Sequence, residues 1–162
     1  MIFEVDPEVR VGHVHLKVSD LERAIDFYQN VLGFNLTQRY GSQAAFLAAG
    51  DGHHHIGLNT WYSKGGSAPP EGSTGLFHVA FIYPTRAALA RAVSRVLALG
   101  VPIQGASDHG VSEAIYLADP DGNGIELFWD KPYESWPRDE AGGLRMFTRP
   151  LLLEDLLAAA AA

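Results

Sequence analysis

The fold is decided by the heptapeptide Gly12-His13-Val14-His15-Leu16-Lys17-Val18 and by a second segment, Phe77-His78-Val79-Ala80-Phe81, which starts in the same way. Polar and apolar residues alternate in the heptapeptide, which is typical of a strand with one buried face. Each segment is followed by a helical pattern and then by three strand-like patterns. The chain is therefore predicted to contain one structural unit twice.

The local signals support the same order of elements in both halves. Ser19-Asp20-Leu21-Glu22 resembles a capping box, and Gly33 is placed to end the helix that follows. The second half has Thr85 as a predicted N-cap, a helix over 87–99 and a stop at Gly100. Strands are predicted near residues 34–40, 43–49, 54–61, 77–83, 103–106, 112–118 and 124–129.

These patterns predict an α+β fold of two tandem βαβββ modules that form a pseudo-symmetric open barrel around a metal-binding cleft. We expect one domain over residues 1–162, with modules at 11–62 and 76–130. The connection 63–75 is rich in Gly, Pro and Ser, which excludes regular structure there. The tail, 131–162, ends in a predicted helix that docks on its own core or on a second subunit.

Composition excludes several classes of function. The 162 residues are 47% hydrophobic and 19% charged, as in an ordinary globular protein, and they include no cysteine. Disulfide frameworks, thiolate nucleophiles and zinc–thiolate sites are thereby excluded. The net charge of -7 and the lack of a basic stripe argue against a nucleic-acid partner. No signal peptide or membrane span is predicted, so a soluble cytoplasmic protein is expected.

The repeat predicts a metal centre. His13 and His78 occupy matching positions on matching strands, whereas Gly57 and Glu126 match on the last strand of each half. Two imidazoles and one carboxylate that leave other positions free form the facial triad of non-heme Fe(II) enzymes. Singly, such residues are more often ordinary surface groups. We expect Fe(II), with Mn(II), Ni(II) or Zn(II) as alternatives.

Further polar residues are predicted to line the same cavity. Alternation along 54–61 places His55 and Asn59 on the face of Gly57, where an imidazole is suited to proton transfer. Tyr116 precedes Glu126 on the neighbouring strand and is placed to donate a hydrogen bond to an anionic oxygen. His55 and Tyr116 are the predicted catalytic residues; the predicted substrate-binding residues are His15, Asn59 and His109.

The chain resembles the vicinal oxygen chelate superfamily of glyoxalase I, bleomycin- and fosfomycin-resistance proteins and type I extradiol dioxygenases. Three blocks carry the resemblance: 12–34, 77–81 and the turn and strand Asp119-Pro120-Asp121-Gly122-Asn123-Gly124-Ile125-Glu126-Leu127. The run 53–61 is similar to that of catechol-2,3-dioxygenase-like bacterial proteins. Glyoxalase I has a fourth ligand where this chain has Gly57. The extradiol branch has a second histidine before its tyrosine, where this chain has Ser107, with His109 two residues later.

The resemblance implies an extradiol-type, ring-cleaving dioxygenase that acts on a small aromatic diol and O2. It implies His13, His78 and Glu126 as iron ligands, His55 and Tyr116 as active-site groups, and a homodimer. Two alternatives remain open. One is a metal-dependent isomerase or thiol transferase of the glyoxalase or fosfomycin type, and the other is a metal-free protein that binds an aromatic ligand, as in the bleomycin-resistance branch.

Overall fold

The computed structural model describes residues 4–161 and divides the chain into two compact units, one up to Gly66 and the other from Ser67 onward. This boundary lies inside the connection predicted at 63–75. No helix within residues 4–161 has both the length and the apolar character needed to cross a membrane.

The first unit contains a four-stranded sheet and one interrupted helix. Helix α1 spans Leu21–Asp26 and continues as a π-helical segment, Phe27–Val31. The sheet has the order β1-β4-β3-β2, and its outer strand β1 runs parallel to β4 while the other pairs are antiparallel. Its strands are β1 Val14–Lys17, β2 Asn35–Tyr40, β3 Ala44–Ala48 and β4 Ile56–Asn59.

The second unit repeats this plan and adds one short strand. Helix α2 spans Arg86–Ala98, and the sheet has the order β5-β8-β7-β6-β9, again with a parallel outer pair. Its strands are β5 His78–Ile82, β6 Gly105–Asp108, β7 Ser112–Ala118, β8 Gly124–Asp130 and β9 Arg149–Pro150. The α+β class and the two sheets are confirmed, whereas the open barrel remains a prediction.

The register of the parallel pairs shows which residues of the two units are equivalent. Val14 is paired with Ile56 in the first unit, and Val79 with Ile125 in the second. It follows that His13 corresponds to His78, and that the pair His15–Gly57 corresponds to the pair Ala80–Glu126. The alignment of the two halves that the sequence predicts is the one given by the registers of these strand pairs.

The helix caps confirm one expectation and correct another. Thr85 caps α2, since its side chain accepts a hydrogen bond from Ala88 N–H at 3.0 Å. At α1 the cap is Asp20 rather than Ser19: Asp20 Oδ1 accepts from Arg23 N–H at 3.1 Å. The predicted capping box is wrong, because Glu22 instead forms two hydrogen bonds with Arg39 at 2.5 and 2.8 Å.

The tail docks on its own unit. Helix α3 spans Leu153–Ala158, and its Leu156 is fully buried. Arg86 at the start of α2 donates one hydrogen bond to the Asp155 carbonyl at 3.0 Å and another to Glu113 Oε2 at 2.7 Å. Of the two alternatives for the C-terminal helix, the structure shows packing on its own core.

Candidate functional site

His78 and Glu126 face each other on neighbouring strands of the second sheet. Glu126 is paired with Ala80, whose side chain is only a methyl group, and His78 is paired with Gly124. A Cβ at position 124 would collide with the Phe77 carbonyl, so glycine allows β8 to run close beside His78. The resulting distance between His78 Nε2 and Glu126 Oε2 is 2.9 Å.

This pair fits two neighbouring ligands of a divalent cation. Donor atoms about 2.1 Å from a metal and about 90° apart lie about 3 Å from each other. An imidazole with a carboxylate is a donor set that suits Fe(II), Mn(II) or Zn(II). His78 Nδ1 is buried and makes no hydrogen bond with a described residue, so Glu126 is the only polar partner found for this ring.

The third predicted ligand, His13, belongs to the other compact unit. Across residues 4–161, no three histidine, aspartate or glutamate side chains form a group that could hold a metal ion. The second unit thus presents two donors, and the addition of His13 to them remains a proposal.

Tyr116 connects this pair to a second histidine. Its hydroxyl oxygen lies 3.3 Å from Glu126 Oε1 and 2.6 Å from His109 Nε2, so its one proton has two acceptors within reach. Burial, followed by the negative charge of Glu126 and the hydrogen bond to it, raises the pKa of Tyr116 to about 12. Tyr116 is therefore a neutral phenol at physiological pH and serves as a hydrogen-bond donor.

His109 reaches Tyr116 from beyond the end of strand β6. Ser107, at the position where the resemblance places a histidine, is paired with Ala114 inside the β6–β7 ladder. His109 follows that ladder, with its N–H bonded to the Ser112 carbonyl at 2.9 Å. Its ring extends back along β7 to the phenol, so the shift of two residues along the chain does not separate the two groups.

Several imidazoles of the first unit surround His54. The ring of His54 lies 4.5 Å from that of His13 and 5.1 Å from that of Phe46, between centroids. Burial, and then the neighbouring histidines, lower the pKa of His54. A cavity of about 280 Å3 adjoins this cluster. Its lining residues are Thr37, Gln38, Phe46, His53 and His54.

The His15 imidazole lies beside Gly57, the position of the first unit that corresponds to Glu126. A Cβ at Gly57 would lie 2.9 Å from His15 Cγ, so the imidazole covers this glycine. The ring also lies 5.5 Å from that of Trp61, between centroids. Burial, followed by the proximity of His13, lowers the pKa of His15. The position that corresponds to Glu126 therefore has no side chain of its own and is covered by the neighbouring His15 ring.

The other predicted residues of the first unit take part in local contacts. His55 precedes β4, is exposed, and accepts a hydrogen bond from Ala49 N–H at Nδ1 over 3.2 Å. Its Nε2 is the ring nitrogen left for proton transfer. Asn59 is buried, and its Oδ1 accepts from Trp61 N–H at 3.2 Å. Catalysis by His55 and substrate contact by Asn59 remain predictions.

Two groups of residues near these sites have no predicted role. His54 is one of them: a strand is predicted near residues 54–61, whereas β4 begins at Ile56, so strand alternation does not apply to His54. Phe147 and Thr148 were placed in the tail without a role, yet both contact the His109 ring. No local sequence pattern signals a contact over this separation.

Comparison with known proteins gives one family and several relatives. A family model described as the Glyoxalase/Bleomycin resistance protein/Dioxygenase superfamily matches residues 10–127. A catechol-2,3-dioxygenase of Bacillus subtilis is 37% identical over 94% of this chain and 53% of its own length. A biphenyl-2,3-diol 1,2-dioxygenase of Rhodococcus globerulus is 30% identical over 73% of this chain and 62% of its own length. The chain thus spans half to two thirds of these two relatives.

Two further proteins match nearly over their full length. A lactoylglutathione lyase of Haemophilus influenzae is 31% identical over 78% of this chain and 97% of its own length. The crystal structure of a glyoxalase/dioxygenase from Nostoc punctiforme superposes with a TM-score of 0.65 at 21% identity. It covers 82% of this chain and 99% of its own, which shows a common fold.

Proposed function

The chain belongs to the Glyoxalase/Bleomycin resistance protein/Dioxygenase superfamily, and from this premise we propose that it is a non-heme Fe(II) dioxygenase that cleaves the ring of a small aromatic diol. The similarity to dioxygenases of catechol and of biphenyl-2,3-diol supports the class of substrate. The proposed metal ligands are His13, His78 and Glu126.

The observation that carries the proposal is the chain of hydrogen-bonding groups from Glu126 through Tyr116 to His109. The Tyr116 hydroxyl lies 3.3 Å from Glu126 Oε1, and His109 Nε2 lies 2.6 Å from that hydroxyl. A hydrogen-bond donor and a base therefore lie beside the carboxylate of the proposed centre. Cleavage of a diol requires its hydroxyl protons to be removed and its anionic oxygens to be stabilised. This arrangement provides both groups.

Each residue has a stated task in this proposal. The Tyr116 hydroxyl donates a hydrogen bond to an anionic oxygen of the diol, which preorganised donors do at little reorganisation cost. The diol proton passes to the Tyr116 oxygen as the Tyr116 proton passes to His109 Nε2, so that the phenol stays neutral and ends as the donor to the anionic diol oxygen. His55 is proposed to act as an acid or base at its Nε2. His15 and Asn59 are proposed to contact the substrate from the first unit.

The bound metal would supply the centre at which the diol and dioxygen are held together. We favour Fe(II), because two imidazoles and one carboxylate leave positions for both ligands. Gly57, at the position that corresponds to Glu126, has no side chain to serve as a further donor. The protein is proposed to act in the cytoplasm as a homodimer.

Ring cleavage tests the proposal directly. The protein is loaded anaerobically with Fe(II), mixed with a panel of substituted catechols and then exposed to air, and the yellow ring-opened product and O2 consumption are recorded. Product in the wild-type protein and its loss in Glu126→Gln support the proposal. Iron bound without product across the panel contradicts it.

A second candidate is a metal-dependent lyase or isomerase of the glyoxalase type. It is favoured by the match to a lactoylglutathione lyase over 97% of that protein's length. Turnover of the hemithioacetal of glutathione and methylglyoxal, without O2 consumption, would establish this alternative. The absence of a side chain at Gly57 argues against it.

A further inference from the structure

We propose that Phe147 and Thr148, in the segment 131–150, are positioning residues of this site and hold the His109 imidazole as the Nδ1–H tautomer, so that Nε2 accepts a hydrogen bond from the Tyr116 hydroxyl. The inference rests on the proposed function for its catalytic meaning. Its structural content concerns the second unit alone.

Both ends of the segment 131–150 form hydrogen bonds with the loop that carries His109. Lys131 donates through its N–H to the Val111 carbonyl at 2.8 Å, and its ammonium lies 2.7 Å from Asp108 Oδ1. Further along, Phe147 N–H donates to the His109 carbonyl at 3.2 Å. The loop that carries His109 is thus bonded to both ends of the segment 131–150.

Gly110 makes this contact close. Its φ is +80°, in the left-handed region that favours glycine, and a Cβ there would lie 2.7 Å from the Phe147 ring and 2.8 Å from Pro137 Cγ. Arg149 covers the other part of the Phe147 ring, with its guanidinium carbon 4.3 Å from the ring centroid. The Phe147 ring therefore packs directly on the His109 loop.

The partners of the His109 ring determine where its proton lies. Nδ1 lies 3.1 Å from the Phe147 carbonyl oxygen and 3.2 Å from Thr148 Oγ1. Because a carbonyl accepts and never donates, Nδ1 must carry the proton for this hydrogen bond to form. In a neutral imidazole Nε2 is then the acceptor, and it lies 2.6 Å from the Tyr116 hydroxyl.

This assignment gives the tail an effect on catalysis without contact with the substrate. Displacement of Phe147 would free Nδ1 and allow the other tautomer, whose Nε2–H cannot accept the phenol proton. Groups that fix the tautomer of an active-site histidine commonly change rates by about 10- to 100-fold. We expect Phe147→Ala to lower kcat about 10-fold and to change KM less than about twofold.

The test combines nitrogen NMR of histidine with turnover. The tautomer of His109 is read in the metal-free wild-type protein in alkaline buffer, with His109→Gln used for assignment. It is then compared in Phe147→Ala, in the conservative Phe147→Leu and in Thr148→Val. Met146→Ala is the matched control, because Met146 precedes Phe147 and is 60% exposed.

The expected result is a proton on Nδ1 in the wild type and in Met146→Ala, mixed tautomers in Phe147→Ala, and recovery in Phe147→Leu. A wild-type proton on Nε2, or an unchanged tautomer and kcat in Phe147→Ala, would overturn the inference. If Phe147→Ala does not fold, the wild-type tautomer decides. Absence of ring cleavage in a wild type with the Nδ1–H tautomer would contradict the proposed function and leave the positioning intact.

Discussion

At the scale of single residues, the central feature is a phenol between a carboxylate and an imidazole. Tyr116 contacts Glu126 and His109, and its pKa of about 12 makes it a neutral phenol near neutral pH. A neutral donor near a charged centre stabilises an oxygen that becomes negative during the reaction. Tyr116 is thus suited to hold a substrate anion and less suited to act as a base.

Removal of this hydroxyl is expected to slow catalysis and to leave the fold intact. We predict that Tyr116→Phe lowers kcat for ring cleavage by about 100-fold, the usual effect of removing one such donor. The measurement is the initial rate of product formation under saturating diol. Tyr133→Phe is the matched control, because Tyr133 is exposed and its hydroxyl accepts a hydrogen bond from Arg138. Equal rates for Tyr116→Phe and the wild type would contradict the assigned role.

The residues that the sequence placed correctly relative to one another lie on long, uninterrupted strands. Tyr116 and Glu126 are directly paired in the β7–β8 ladder, so strand alternation alone puts both on one face. His54 and His55 lie outside β4, which begins at Ile56, and alternation does not apply to them. The contact of His109 with the tail depends on tertiary packing, which a local pattern does not contain.

At the scale of elements, the parallel strand pairs of the two units place their larger side chain on opposite strands. The first unit has a large residue on β1 and none on β4, in His15–Gly57, whereas the second has a small residue on β5 and a carboxylate on β8, in Ala80–Glu126. In each unit one side chain fills the equivalent space, and it comes from β1 in the first unit and from β8 in the second. In the first unit the His15 imidazole thus lies at the place where the second unit has the Glu126 side chain.

This interpretation predicts coupling between positions 15 and 57. Gly57→Glu alone should destabilise the protein by about 2 kcal/mol, because the new side chain overlaps the His15 ring. The double variant His15→Ala, Gly57→Glu should recover at least half of that loss, since it reproduces the arrangement of the second unit. Urea unfolding gives the free energies, with His15→Ala as the control.

The outcome is decided by a double-mutant cycle over the wild type, both single variants and the double variant. Equal destabilisation in the presence and in the absence of the His15 ring would contradict the coupling. In the proposed enzyme, the added carboxylate should also lower ring-cleavage activity, because it occupies a position that the substrates need.

Asp108, which precedes His109, leads us to expect that the stability of the protein depends on pH. Burial alone would raise the pKa of Asp108, but the hydrogen bonds from Lys131 and the Gly110 N–H, with the charge of Lys131, hold that pKa below its usual range. The resulting stabilisation is present above the ordinary carboxyl pKa of about 3.9 and is lost as the pH falls through the lower, folded-state value.

We therefore expect acid to destabilise the wild type more than Asp108→Asn between about pH 5 and pH 2, by less than about 1 kcal/mol for a partly exposed pair. Urea unfolding at each pH measures the difference. Lys131→Met should reduce the acid sensitivity in the same way. Parallel curves for the wild type and both variants would show that the ion pair does not contribute.

At the scale of the whole molecule, one unit occurs twice and its copies have diverged. Both units keep the helix and the parallel outer pair of strands, and this much followed from strand alternation, helix periodicity and turn residues. The interruption of the first helix by a π-helical segment and the short strand β9 lacked a local signal. Within residues 4–161, the paired imidazole and carboxylate with a phenol and a further histidine occur in the second unit.

The proposed metal centre requires His13, His78 and Glu126 to bind one metal ion. Anaerobic loading with Fe(II), followed by gel filtration and elemental analysis, tests this requirement most directly. We predict one iron per chain in the wild type and almost none in His13→Ala, His78→Ala and Glu126→Ala. Full iron content in His13→Ala, or none in the wild type, would contradict it.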